Sequence, residues 1–119
     1  IANEIILNAE ELMNAVKLSS VFSDKFNEIK IIINKDAKNV EIFSASQSVG
    51  ENKYLVPAKI QKMAENQMEI SFNWRFLLDG LKNIKSENIF LGLNDLSKPA
   101  LIKSPQDESW LYILMPIKN

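Results

Sequence analysis

Apolar and polar positions follow two rhythms along this chain, and the same succession of rhythms occurs twice. A fixed offset of 65 superimposes Glu4 on Glu69, Ile5 on Ile70, Asn8 on Asn73, Leu12 on Leu77 and Lys17 on Lys82. Apolar type is kept at Leu7/Phe72, Met13/Leu78 and Val16/Leu81. In each copy a strand-like run ends at an asparagine and passes into an amphipathic helix. Ala9, Leu12, Met13 and Val16 share one helical face, as do Trp74, Leu77, Leu78 and Leu81. That spacing marks a half-buried helix. Asn8 and Asn73 are N-cap candidates, because the side chain accepts from an orphan N–H of the first turn. Glu11, three residues after Asn8, resembles a capping box.

The remaining elements repeat in the same order. The pattern predicts strands over 2–8, 27–34, 40–45 and 53–60 in the first half, with a helix over 9–20. In the second it predicts strands over 68–72, 88–94, 100–103 and 109–116, with a helix over 73–84. Ile29, Ile31 and Ile33 alternate at the period of a strand, and Ile89, Leu91 and Leu93 match them at an offset of 60. Residues 47–52, with Gly50, read as a loop or irregular edge. Pro57 has no N–H for a ladder, so its strand lies at an edge or ends there. Pro116 matches Pro57 at an offset of 59. The reading is an α+β fold: a β-α-β-β-β unit written twice, about 1–65 and 66–119, with paired antiparallel sheets and both helices on one side.

Composition narrows the chemistry. At 119 residues and 46% hydrophobic, one domain with a real core is expected. The chain has neither cysteine nor histidine. That removes disulfides, thiolate nucleophiles, Cys/His zinc sites and imidazole acid–base work. The adjacent pairs Glu10-Glu11 and Asp107-Glu108 point to different faces, with no third ligand at metal spacing. Serines without histidine make no triad. The chain reads as non-enzymatic, without a cofactor. A net charge of −1 does not announce a nucleic-acid binder. No apolar run spans a membrane, no signal peptide is visible, and the start at Ile1 hints at a piece of something longer.

The duplicated pattern and the ending Tyr112-Ile113-Leu114-Met115-Pro116-Ile117-Lys118-Asn119 resemble the C-terminal domain of the bacterial sliding-clamp family, the beta subunit of DNA polymerase III. The family's last strand typically ends Tyr-x-x-Met-Pro-(Met or Ile)-(Arg or Lys). Phe72-Asn73, Leu77-Leu78-Asp79 and Lys25-Phe26 add to the likeness, which covers essentially the whole chain. A clamp subunit carries three such domains, so this chain would be the last, with the DNA clamp fold. The resemblance implies a head-to-tail homodimer ring around duplex DNA, bound without sequence preference. It also implies a cytoplasmic, nucleoid-associated protein that tethers polymerase and clamp-loader subunits through short linear motifs.

Three sets of residues follow from the resemblance. A peptide-binding pocket would use Ile113, Met115, Pro116, Ile117 and Lys118 of the tail, with Phe26, Asn73, Phe76, Ser97 and Pro99 as walls. Thioether, proline and aromatic rings suit an adaptable apolar cleft. The family often has a small apolar residue or threonine in place of Ser97, and tyrosine in place of Phe76. A subunit interface would use Val21 and Phe22 at the end of the first helix, with an edge over Gln47, Glu51, Lys53 and Tyr54. A DNA-facing surface would use Lys17, Arg75, Lys82 and Lys85, which could hold phosphates without reading bases. Each set has a plain competitor: a finished strand, a phenylalanine tucked under its own sheet, a solvated helix face with Asp79 between the cations. The rival for the whole chain is a duplicated, self-associating regulatory or interaction module with no DNA role.

Overall fold

Each half runs strand, helix, three strands, and asparagine caps both helices. The computed structural model describes residues 2–105 and 107–117. The first half comprises β1 (Asn3–Asn8), α1 (Ala9–Val21), β2 (Glu28–Asn34), β3 (Asn39–Ser46) and β4 (Gly50–Lys62). The second comprises β5 (Gln67–Asn73), α2 (Trp74–Leu81), β6 (Asn88–Leu93), β7 (Ala100–Ser104) and β8 (Asp107–Leu114). Asn8 Oδ1 accepts the Glu11 N–H, and Asn73 Oδ1 the Arg75 N–H, each at 2.9 Å.

The strands pair in the order β5-β2-β3-β4-β1-β6-β7-β8, antiparallel at every step. The halves exchange a strand: β5 pairs with β2 of the first half, while β1, paired with β4 of its own half, also takes β6 of the second. Periodicity identifies strands but not their neighbours, so this exchange was not readable from the sequence. The inward alternate residues of β2 and β6 are Ile29, Ile31, Ile33 and Ile89, Leu91, Leu93. They meet Leu12, Val16, Leu77 and Leu81 from the helices, and all ten are at most 1% exposed. α1 and α2 also touch each other, giving the two-layer arrangement expected from the pattern.

Four boundaries differ from expectation. First, of residues 47–52 only 47–49 are a connection, and 50–52 already belong to a strand. A tight turn follows Ser46, and β4 starts at Gly50, whose φ of +105° only glycine adopts readily. Second, β4 does not end at Pro57. Up to Pro57 it pairs with β3, and from Ala58 to Lys62 with β1. The proline sits where the strand changes partner, so a missing N–H breaks no continuous ladder. Third, α2 stops at Leu81 rather than Ile84. The N–H groups of Asn83 and Ile84 reach back only three residues, to Gly80 and Leu81, at 3.2 Å. This tight turn satisfies helix-end carbonyls and ends the helix. The last strand likewise spans Asp107–Leu114 rather than 109–116, so Met115 and Pro116 lie beyond its ladder.

Candidate functional site

The elements carrying the tail set converge at one end of β8. Leu114 lies opposite Ala100 and Ile113 opposite Leu101, so the tail leaves β8 beside the start of β7, where Ser97 and Pro99 are exposed. Past buried Pro116 the Ile117 N–H donates to the Ser71 carbonyl at 2.8 Å, binding the tail to β5. Asn73, two residues on, caps α2. The Trp74 N–H donates to the Asn27 carbonyl at 2.9 Å, which brings the segment carrying Phe26 to the first turn of α2. Asn27 adopts a left-handed conformation, φ 59°, which asparagine tolerates better than most residues. Four large apolar side chains on these elements are more than half exposed: Phe26 67%, Ile113 60%, Phe76 58% and Met115 53%. The result is a set of exposed apolar side chains on neighbouring elements. Lys118 lies outside the described residues.

Sequence reasoning missed the positions that hold this surface together, Asn27 and Ser71. Both act through backbone carbonyls, which leave no side-chain signature. It also missed Leu101 and Leu111, whose side chains are half-exposed or exposed on β7 and β8. The alternation of Leu111 and Ile113 was the available signal.

The interface set is also gathered. Val21 is 61% exposed, and Phe22, the C-cap of α1, is half-buried. The buried Ser44 hydroxyl donates to the Ser19 carbonyl at 2.7 Å, and Asn52 Nδ2 to Ser19 Oγ at 3.4 Å. These bonds tie the end of α1 to the β3–β4 hairpin carrying Gln47, Glu51, Lys53 and Tyr54. Tyr54 is half-buried against the core, and the other three are exposed. From Gly50 to Val56, β4 has β3 on one side and no strand on the other among the described residues.

Lys17, Arg75, Lys82 and Lys85 are all exposed. Lys17 lies on α1 and Arg75 on α2, with Lys82 capping α2 and Lys85 following it. The Arg75 guanidinium lies over the Trp74 ring, 5.3 Å from its centroid. Among the described residues no group of three or more acidic side chains is placed to hold a metal ion. No helix among them is long and apolar enough to cross a membrane.

The beta sliding clamp of Bacillus subtilis is 28% identical over 118 residues, covering 98% of this chain and 30% of that protein. The beta sliding clamp of Buchnera aphidicola subsp. Rhopalosiphum padi is 30% identical, covering 98% and 31%. The chain thus spans about a third of the length of these curated relatives. The fold matches the crystal structure of a Pseudomonas aeruginosa sliding clamp bound to griselimycin, with a TM-score of 0.87 and 21% identity over 98% of this chain and 31% of that one. The family model for the DNA polymerase III beta subunit, C-terminal domain, matches residues 1–118, and the chain belongs to that family.

Proposed function

We propose that this chain is the third domain of a sliding clamp and acts as a non-catalytic scaffold in DNA replication. Two three-domain subunits close head to tail into a ring around duplex DNA. The helices face the DNA, where Lys17, Arg75, Lys82 and Lys85 offer sequence-independent contact with phosphates. Val21 and Phe22, with the open edge of β4, meet the partner subunit. The tail surface docks short linear motifs of polymerase and clamp-loader subunits. The assembled protein works in the cytoplasm, on the nucleoid.

The observation that carries the docking role is the bond from Ile117 to Ser71. It pins the tail to β5 while Ile113 and Met115 stay uncovered. Large exposed apolar side chains on neighbouring elements suit an interaction site, and the thioether of Met115 adapts to varied partners. The test is calorimetric or fluorescence titration with a short peptide containing Gln and Leu/Phe. Binding is expected, at modest affinity in this chain alone, and is lost in Met115→Ala and on removal of residues 115–119. Binding unchanged by both alterations would overturn the docking role.

A further inference from the structure

The two halves differ in what lies beside their first strands. In the first half β4 continues past Pro57 and lays Ala58–Lys62 along β1, with Ala58 opposite Leu7, Ile60 opposite Ile5 and Lys62 opposite Glu4. In the second half the tail reaches β5 through the Ile117–Ser71 bond. β5 stands last in the strand order, and among the described residues Gln67–Ile70 has no strand on the side away from β2. A cavity of about 360 Å³ opens here, lined by Gln67, Met68 and Glu69 of β5, by Asn3 at the start of β1, and by Leu96 in the β6–β7 turn. Asn3 Nδ2 lies 3.5 Å from Met68 Sδ, so the starts of β1 and β5 adjoin. Leu96 is 54% exposed, on a turn fixed by Asp95 Oδ1, which accepts the Ser97 N–H at 2.8 Å.

We infer that this slot takes an extended segment of a partner protein, apolar with a lysine, that adds a strand to the edge of β5 over Gln67–Ile70, which no strand covers among the described residues. The repeat supplies the reason. Glu69 occupies in the second half the place Glu4 holds in the first, and Glu4 faces Lys62. The segment Ala58-Lys59-Ile60-Gln61-Lys62 is therefore this molecule's own specimen of what fits. Charge points the same way: Glu65 and Glu69 are exposed at the rim, while Lys98 is offset by Asp95 at 3.7 Å. An open strand edge offers main-chain hydrogen bonds to an added strand, and the flanking apolar wall selects its side chains. Ile113 and Met115 do not line the slot, so it is separate from the tail surface.

The test is a titration of the isotopically labelled 119-residue chain with a synthetic peptide of residues 57–62, followed by amide shifts. Saturable shifts are expected at Gln67, Met68, Glu69 and Leu96. Replacing the peptide's last lysine with glutamate abolishes them, and Glu69→Lys in the chain weakens binding about fivefold, as expected when an exposed ion pair becomes a repulsion. Absence of shifts, shifts confined to Ile113–Met115, or insensitivity to both charge changes would overturn the inference. So would binding that appears only after removal of residues 118–119, because the chain's own end would then be the occupant. Since the readout is at β5, the result is independent of whether the tail docks motifs.

Discussion

Pro57 and Pro116 occupy matching places in the repeat but end in different surroundings. Pro57 is exposed in the middle of a 13-residue strand, and the residues after it complete a ladder with β1. Pro116 is buried beyond the end of β8, and the described chain after it gives one bond to β5. The same punctuation serves structure in one copy and leaves an accessible border in the other. A duplicated unit can therefore specialise through what it leaves unpaired, with little change to its core.

The core should respond alike in both halves. Leu12→Ala and Leu77→Ala each remove a side chain at most 1% exposed, and each should cost about 3 kcal/mol in urea unfolding. A large disparity would mean that one half carries most of the stability. The next effect separates the copies. A Cβ on Gly80 would overlap the Tyr112 ring, which lies against this face of α2. Gly80→Ala should therefore lose about 1–3 kcal/mol despite its better helix propensity. Gly80→Ala combined with Tyr112→Ala should show a smaller loss than the sum of the two single changes. At Ala15, the matching position in α1, the side chain is a buried methyl, and Ala15→Gly should cost about 1 kcal/mol.

The caps come next: Asn8→Ala and Asn73→Ala should each lose about 1 kcal/mol, measured by denaturation. Met115→Ala should shift stability by no more than about 0.5 kcal/mol, since the side chain is half exposed, so its loss of peptide binding would report docking rather than unfolding. The smallest effect is acid-dependent. Hydrogen bonds from Ser97, helped by Lys98, hold the Asp95 carboxyl below the usual carboxylate range. Its folded pKa lies under the unfolded value, so its contribution is full above that range and fades as pH falls through the lowered pKa. The Ser97 amide shift should follow this titration.

Much of the fold was legible because it rests on local chemistry. The caps at Asn8 and Asn73, the isoleucine alternation of β2 and the apolar helix stripes are all short-range signals. Strand partners were not legible, because pairing β1 with β6 depends on contacts 80 or more residues apart. The edge position of Pro57 was legible, since among the described residues only β3 lies beside it, but the continuation of β4 onto β1 depends on a change of neighbour that no local pattern records. At the candidate site, the exposed side chains came from the resemblance, and the structure places the elements bearing them together. The carbonyls of Asn27 and Ser71 that hold those elements stayed hidden.

The pairing of β5 with the first half has a consequence for how the chain acquires its shape. The second half cannot finish its own sheet, since its first strand, β5, pairs with β2 of the first half, and Asn3 bonds to the Leu93 carbonyl 90 positions away. Assembly must await synthesis of most of the polypeptide, should be slow for its size, and should melt in a single step rather than half by half.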